Sequence, residues 1–335
     1  MTTADLSQNP LASRWGPAAP APKDAPAPKV DFEGIIAGRQ ALNLILDLAE
    51  VASGRGDLLD VLVVTAIISA NLGHLACDPQ LNLRYSHFGR PAPVALRRPI
   101  SINALAISLH LPFETVRRRV TAQAAQGRIV YTPNGVYAPA ATTDNDRARG
   151  ILRRRYDCFW RFREELQRAG LVPPSKFTPP PAEDPAAPVA GVNRIITAFW
   201  LRSLEPLRRG IPDPLTGLIY LAILRGNVEH LLPEVVMRHA RAGEPASDNC
   251  RPVRMADLSR RLSVPYETTR RHVAWLVKEG YCLRVAEGLR FPPEILHEPG
   301  AIRAAVINVA NMKRMLRQVD GLMEAQQMAA AARGA

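Results

Sequence analysis

Cysteine is scarce in this chain, and its four cysteines are widely separated: Cys77, Cys158, Cys250 and Cys282. None belongs to a CxxC pair or lies near a histidine at metal-ligand spacing, so the sequence favours neither a zinc site nor a disulfide framework. We therefore expect reduced thiols, no metal and no cofactor in a cytoplasmic protein.

Patterns typical of catalytic sites are also missing. The sequence contains no phosphate-cradling glycine loop, nucleophile elbow, HExxH motif or paired-carboxylate pattern. Each of these patterns places a nucleophile, a base or a phosphate-binding backbone where a reaction requires it. We therefore expect that the protein is not an enzyme.

No segment has the length and continuity of a membrane span. The most apolar stretch, residues 58–76, is interrupted by Asp60, Asn71 and His74, so we expect a buried helix there and no membrane partner. The N-terminal residues lack the apolar core of a secretory leader. Their proline- and alanine-rich composition instead predicts a disordered tail over residues 1–31.

Basic residues, in contrast, are abundant. The chain of 335 residues contains 43 Lys+Arg against 31 Asp+Glu, which gives a formal net charge of +12. The isoelectric point is near 10.1. A polyanion is the partner that such a charge favours. Nucleic acid is the first candidate, and an anionic membrane surface is the second.

Two segments of the chain are copies of one another. The segment "HLPFETVRRRV" at residues 110–120 reappears as "SVPYETTRRHV" at residues 263–273. Residues 98–139 align with residues 251–292 without a gap, and 13 of the 42 aligned positions are identical. A match of this length indicates an internal repeat.

The repeat extends upstream, where a shift of 156 residues pairs Asp57 with Asp213 and Asn71 with Asn227. We expect both aspartates to cap the apolar helices that follow them. Each asparagine precedes a histidine by three residues, and we expect a hydrogen-bonded helix end there rather than a metal site. The whole unit is therefore duplicated, not only a short motif.

A proline-rich segment separates the two copies and is interpreted as an interdomain linker, since proline sustains neither a helix nor a central strand. Each unit reads as one or two leading helices, a compact middle segment and a trailing helix, at 147–169 or 301–332. The predicted organisation is a disordered tail at 1–31, a first unit at 32–171, a linker at 172–191 and a second unit at 192–335.

The middle segment of each unit predicts two short helices joined by a tight turn. In the first copy, Leu105 and Leu109 belong to an apolar stripe at helical spacing. Pro112 disfavours helical geometry in the residue before it but suits the first turn of a new helix. In that second helix, Val116 and Val120 share one face, and the basic residues point elsewhere.

A short hairpin follows the two helices. Gly127 and Gly280 are expected to close the second helices. Each is followed by two β-prone runs, around Asn134-Gly135 in the first copy and around a Glu-Gly pair in the second, which is typical of a β-hairpin. Helix, turn, helix and hairpin together describe a winged helix. The expected fold is thus mainly α, with small β-hairpin wings in two tandem winged-helix units.

The motif "LHLPFETVRRRV" resembles the helix-turn-helix of the bacterial cyclic-AMP receptor protein and FNR group, and "LSVPYETTRRHV" fits nearly as well. In that family the glutamate and the later arginine contact base edges in the major groove. The resemblance assigns these roles to Glu114 and Arg118, and to Glu267 and Arg271. The chemistry agrees, because arginine can donate two hydrogen bonds to guanine while a carboxylate accepts one from cytosine.

The chain departs from that family at several positions. The family's turn glycine is His110 or Ser263 here, and its Ser-Arg pair is a proline followed by Phe113 or Tyr266. One base-reading arginine of the family is therefore missing, so the family's sequence preference does not carry over. Nothing resembles the family's cyclic-nucleotide β-roll, and we expect a DNA-binding head rather than a cyclic-AMP sensor.

These features predict a transcription regulator that binds specific sequences of double-stranded DNA in the nucleoid, with self-association not required. Residues expected to contact DNA are Phe113, Glu114, Thr115, Arg117, Arg118, Arg119, Thr121, Tyr266, Glu267, Thr268, Arg270, Arg271 and His272. Expected wing residues are Asn134, Gly135, Tyr137, Arg284 and Arg290. We expect an intrachain pseudo-dimer, in which apolar helices at 57–76 and 213–232 and the trailing helices build a shared core.

The two copies differ at several of these positions, so their DNA half-sites should differ too, which predicts an imperfect palindrome. Two alternatives within DNA binding are a replication initiator, since plasmid initiators also use tandem winged helices, and a nucleoid-organising protein. A third alternative is a protein-interaction scaffold, as in the winged-helix subunits of chromosome-condensing complexes. Those subunits tend to be acidic, whereas this chain is strongly basic.

Overall fold

The computed structural model describes residues 32–54, 56–231, 250–292, 294–295 and 298–334. The protein is mainly helical, with 68% helix and two small antiparallel hairpins of two strands each, so this part of the predicted fold is confirmed. The predicted disordered tail at 1–31 lies outside the described residues.

The first half of the chain runs from a long leading helix to a long trailing helix. Its elements are α1 (Phe32–Ser53), α2 (Leu58–Leu72), a 3-10 turn (Gly73–Cys77), α3 (Pro79–Arg84), a second 3-10 turn (Val94–Leu96), α4 (Ile102–Leu109), α5 (Phe113–Ala125), β1 (Val130–Thr132), β2 (Gly135–Tyr137), α6 (Ala140–Thr143) and α7 (Asp146–Arg168). The trailing helix α7 agrees with the prediction to within one residue at each end.

The second half also runs from a leading helix to a long trailing helix. Its elements are α8 (Val189–Leu204), a 3-10 turn (Glu205–Arg209), α9 (Pro214–Val228), α10 (Met255–Leu262), α11 (Tyr266–Lys278), β3 (Leu283–Val285), β4 (Gly288–Arg290) and α12 (Pro299–Gly334). The predicted apolar helix at 213–232 ends as α-helix at Val228, and its last predicted residue lies outside the described residues.

Both long apolar helices begin at the predicted aspartate caps. The Asp57 carboxylate accepts hydrogen bonds from the backbone N–H groups of Leu59 and Asp60. The Asp213 carboxylate accepts equivalent bonds at the start of α9. Each cap satisfies N–H groups that have no partner inside the helix, so this prediction is confirmed.

A buried asparagine at the end of each apolar helix holds the hairpin of its own half. Asn71 Nδ2 donates to the carbonyls of Arg98 at 2.7 Å and Val136 at 3.4 Å, while its Oδ1 accepts from Ala138 N at 2.9 Å. The same three bonds recur from Asn227 to Arg251, Leu289 and Phe291. The predicted hydrogen-bonded helix ends are therefore present at both asparagines.

Helices of the two halves pack across one another. The leading helix α1 packs against α9, and the corresponding helix α8 packs against α2. The trailing helices α7 and α12 each contact both leading helices. The largest hydrophobic cluster contains residues from all of these helices, among them Leu44, Phe159, Trp200, Leu218 and Leu322. The two halves therefore share one core.

The proline-rich segment at 172–191 lies against this core. Phe177, Ala182 and Ala187 are buried within the largest cluster, and the Tyr156 hydroxyl donates to the Pro180 carbonyl at 3.1 Å. Helix α8 begins at residue 189, before the predicted start of the second unit. The segment thus contributes packing to the fold, in addition to connecting the halves.

Among the described residues, one helical stretch, Leu58–Cys77, has the length and apolar composition that a membrane span requires. Of its most apolar window of 18 residues, 44% is buried inside the fold. The corresponding helix α9 carries the buried Arg225, which pairs with Asp47 and Glu50 of α1.

Candidate nucleic-acid interface

The turns between the two short helices of each half adopt the same left-handed backbone. His110 has φ 53° and ψ 46°, and Ser263 has φ 52° and ψ 36°. No other non-glycine residue in the described ranges has a positive φ. This geometry costs an ordinary residue roughly 1–2 kcal/mol, so packing and the following proline must hold the turn in place.

Helices α5 and α11 each have one buried face and one face exposed to solvent. Val116 and Val120 are buried on α5, and Thr269 and Val273 are buried at the corresponding positions of α11. On α5 these side chains pack against α2, α4 and the first hairpin. The packing fixes the rotation of each helix about its axis, and with it the side chains that face solvent.

The exposed faces carry a matched ion pair. Arg117 Nε donates to Glu114 Oε2 at 2.9 Å, and Arg270 Nε donates to Glu267 Oε2 at 2.7 Å. The hydrogen bond from Arg117 lowers the pKa of the Glu114 carboxyl below its usual value. Each carboxylate therefore accepts a hydrogen bond from a positive neighbour on its own helix.

Arg118 and Arg271 stand beside these pairs on the same faces. Both are exposed, and neither forms a hydrogen bond or an ion pair with the rest of the described chain. Each guanidinium therefore offers its donors to a partner from solution, without first giving up an internal bond. Arginine presents these donors in a planar fork that matches guanine edges and phosphates.

Arg119 and His272 do not belong to the exposed faces. The Arg119 side chain is 18% exposed and pairs with Asp57 at 3.2 Å and with Asp60. The Nδ1 atom of His272 instead lies 2.6 Å from Thr216 Oγ1 and 3.7 Å from Asp213 Oδ2.

Both residues tie their helix to the cap of the apolar helix beneath it. Sequence reasoning placed them with the DNA-contacting residues because they continue an arginine run. The alignment of the two copies contains a signal for these buried contacts. Where the first copy has Asp60 and Arg119, the second has Thr216 and His272, so both members of the contacting pair differ between the copies.

The remaining residues predicted on these helices lie around the exposed arginines. Phe113 and Tyr266 are 45% and 50% exposed at the helix starts. Thr121 lies on the exposed face, with its Oγ1 3.2 Å from the Tyr131 hydroxyl of the first hairpin. Thr115 and Thr268 are partly buried. A shallow depression on α5 is lined by Glu114, Thr115, Arg117, Arg118 and Thr121.

The predicted wings are two hairpins of equal size and register. Thr132 pairs with Gly135 in the first, so the turn consists of the two residues between them. A Cβ added at Gly135 would overlap the Ile100 carbonyl, and one at Gly288 would overlap the Val253 carbonyl. Both glycines are therefore required where the hairpin meets the strand-like segment that precedes α4 or α10.

Side chains of the hairpins differ between the halves. Asn134 is exposed at the first turn, and Tyr137 is partly buried. In the second hairpin, Arg284 is exposed and Arg290 is partly buried. The second hairpin therefore carries the stronger positive charge, whereas the first presents an exposed aromatic side chain, Tyr131, next to α5.

Comparison with known proteins finds no family model, no curated protein and no solved structure that matches this chain. Within the described ranges, no group of three or more His, Cys, Asp or Glu side chains is placed to hold a metal ion. The function proposed below therefore depends on the residues and geometry of the chain itself.

Proposed function

We propose that the protein is a transcription regulator that binds specific sequences of double-stranded DNA through two winged helix-turn-helix heads in one chain. The observation that carries this proposal is the pair of matching exposed faces on α5 and α11, each with an unpartnered arginine beside a Glu–Arg pair. Helix-turn-helix proteins place such a face in the major groove.

The side chains on each face suit base reading. Arg118 can donate two hydrogen bonds to a guanine edge, and Glu114, four residues earlier on the same face, can accept one from cytosine. Arg117 is already bound to that carboxylate, but an exposed ion pair contributes at most about 1 kcal/mol, so it can rearrange on contact with DNA. Arg117 is then available to a phosphate.

The packing of the two halves supports a single-chain pseudo-dimer. Each leading helix packs on the apolar helix of the other half, an arrangement that two identical subunits would form across a twofold axis. Helix-turn-helix dimers bind two half-sites about one DNA turn apart. In this chain both heads would reach DNA without a second molecule.

Differences between the heads favour an imperfect palindrome as the binding site. Phe113 and Tyr266 begin the two recognition helices, and Arg284 of the second hairpin stands where the first has Tyr131. The tyrosine is bonded to α5 through Thr121, whereas an exposed arginine is suited to a phosphate or to the minor groove. The half-site read by the second head should therefore be flanked by an extra backbone contact.

The proposal is tested by replacing one exposed arginine at a time. Binding of Arg118→Ala and Arg271→Ala is measured by fluorescence anisotropy on duplexes that carry the sequence selected by the native chain. Each variant should lose roughly 1–3 kcal/mol, and only on duplexes with the half-site of its own head intact. The control is Arg154→Ala, which removes an exposed arginine from α7.

Two results would argue against the assigned roles. Equal losses on every DNA sequence would mean that these arginines contact phosphates rather than bases. Unchanged affinity in both variants would exclude α5 and α11 as the DNA-binding faces.

A further inference from the structure

Four arginines are buried in the described part of the chain, and only two of them have a carboxylate partner. Arg163 and Arg225 form ion pairs with acidic side chains of other helices. Arg97 and Arg155 are each 5% exposed, and neither forms an ion pair with a described residue. Both line the same cavity, whose volume is about 100 Å³.

This cavity lies where the two halves of the chain meet. Its walls come from α2, α6 and α7 of the first half, the segment between α3 and α4, and α8 of the second half. Arg97 donates to the Ala138 carbonyl at 2.6 Å, directly after the first hairpin, and Arg155 donates to Thr197 Oγ1 on α8 at 3.0 Å. The two guanidinium groups therefore connect the cavity to the first head and to the second half.

Three residues that line the cavity each keep a buried polar atom without a partner among the described residues. The Nε atoms of Arg97 and Arg155 are buried donors with no hydrogen bond, and Asn193 Oδ1 is a buried acceptor with none. An unsatisfied buried polar group costs about 1–3 kcal/mol, and more when it is charged. Two buried guanidinium groups without a carboxylate partner at one cavity therefore indicate that an anion completes the site.

The charge around the cavity is positive. Arg194 lines it too, and burial lowers the pKa of Arg155 and of Arg194 to about 10, so both remain charged at neutral pH. Asp144 reaches the rim, but its carboxylate is held by Arg149 at 2.8 Å. No described carboxylate within this cavity is paired with its buried arginines.

We propose that the cavity binds a small oxyanion of the phosphate type. Its charged oxygens accept hydrogen bonds from the guanidinium groups of Arg97 and Arg155. The cavity is several times larger than a single water requires, roughly 10–15 Å³. It is smaller than the pockets of about 300–1,000 Å³ that hold drug-sized ligands.

The site is distinct from the DNA-reading faces, so it can be tested without DNA. Thermal unfolding of the full chain is followed in about 10 mM phosphate, with sulfate and chloride as controls at equal ionic strength. Phosphate should raise Tm in a saturable manner. Sulfate, which presents the same kind of charged oxygens, should do so too, and chloride should have no specific effect.

Matched variants separate this site from a general salt effect. Arg155→Met should abolish the phosphate response, whereas Arg154→Met, which changes the exposed neighbouring residue on α7, should retain it. Without phosphate, Arg155→Met should unfold at a higher temperature than the native chain, since it removes a buried charge that has no ionic partner.

Two results would overturn the proposal: a Tm in phosphate no higher than in chloride, or a phosphate response that survives Arg155→Met. If that variant does not fold, calorimetric titration of the native chain decides the question. Saturable binding of one phosphate per chain supports the site, and no heat of binding argues against it.

Discussion

His110 and Ser263 occupy the same left-handed turn with different side chains. The His110 side chain is exposed, whereas Ser263 Oγ donates to the Gly54 carbonyl at 2.7 Å. In the helix-turn-helix family that these motifs resemble, glycine stands at this position. Glycine adopts this turn without the steric cost that a Cβ introduces. A glycine also raises the conformational entropy of the unfolded chain, which offsets part of that gain in stability.

We therefore expect His110→Gly to raise the free energy of unfolding by about 0.5–1 kcal/mol. Ser263→Gly should give a smaller gain or none, because it also removes the hydrogen bond to α1's C-terminal turn. Urea unfolding of the two variants measures both changes. A loss of stability in His110→Gly would mean that the histidine contributes a contact that offsets the strain.

His272 gives the second half a pH-dependent group at the position where the first half carries Arg119. Burial is the main cause that lowers the pKa of His272, and Arg271 adds to it, while Asp213 opposes it. The unfolded chain therefore takes up this proton more readily than the folded one. Stability from this group is complete above about pH 6.5 and falls as the pH drops below that value.

Replacing this histidine should flatten the pH profile. His272→Gln keeps a hydrogen-bonding group beside Thr216 but cannot be protonated. The free energy of unfolding of the native chain should fall more between about pH 7.5 and pH 5.5 than that of the variant. Equal losses in the two proteins, measured by urea unfolding at each pH, would show that His272 does not titrate differently on folding.

At the scale of elements, each apolar helix is joined to its hairpin by one asparagine. Asn71 is fully buried, and its side chain bonds two carbonyls and one N–H of the segments that flank α4, α5 and the hairpin. Asn71→Ala should lower the free energy of unfolding by roughly 2–4 kcal/mol, because the backbone groups stay buried without a partner.

The corresponding variant Asn227→Ala should show a similar loss. Asn145→Ala is the reference, since it removes an exposed cap of α7 and one exposed bond to the Ala141 carbonyl, and should cost about 1 kcal/mol. Urea unfolding measures all three. If the Asn71 and Asn227 variants lost no more than the Asn145 variant, water would have to satisfy the freed groups.

Local signals explain why much of this architecture could be predicted. Pro112 and Pro265 mark helix starts, Asp57 and Asp213 mark caps, and Gly127 ends α5 in a positive-φ conformation. Each of these residues has its own preference for a backbone conformation or a capping position, and that preference can be predicted without knowledge of distant contacts. The duplication strengthened these signals, because the same feature occurred at equivalent positions of both copies.

Contacts between distant segments could not be predicted in this way. Arg119 reads as one of three consecutive basic residues, yet its partners Asp57 and Asp60 lie about sixty residues earlier. Burial of Phe177 within a proline-rich segment likewise depends on the helices around it. Arg97 and Arg155 carry no motif at all, and only the fold brings them to one cavity.

At the scale of the whole molecule, the two cross-half interfaces are built differently. Between α1 and α9, Arg225 pairs with Asp47 and Glu50. At the equivalent interface between α8 and α2, Ser69 stands at the position that corresponds to Arg225. Ser69 lines a cavity of about 340 Å³ there. One interface is therefore filled by an ion-pair cluster and the other is partly open, so the halves are related in layout but not equal in packing.

Arg225→Ser should therefore destabilise the protein, whereas Ser69→Ala should change its stability by no more than about 0.5 kcal/mol. We expect Arg225→Ser to cost roughly 1–3 kcal/mol, less than for a fully buried pair, because both carboxylates are partly exposed. Urea unfolding measures both variants. Equal effects would mean that the ion pairs contribute nothing to the contact between halves.

The hydrophobic contacts of the two heads differ as well. The first head has its own cluster around Val63, Leu105 and Val116, whereas Leu258, Val273 and Leu276 of the second head belong to the main core. Both heads nevertheless present the same arginine and glutamate to solvent. The two halves therefore attach these exposed pairs to the rest of the fold through different hydrophobic contacts.

The most direct test of this account is a selection of the purified full chain against a pool of random duplexes at about 150 mM salt, followed by sequencing of the retained DNA. The account predicts enrichment of a bipartite motif whose two halves are related but not identical. Enrichment of a single half-site would contradict the claim that both heads read DNA. Binding without any enrichment would instead favour nucleoid packaging, and a chain that retained no DNA would favour the protein-interaction scaffold.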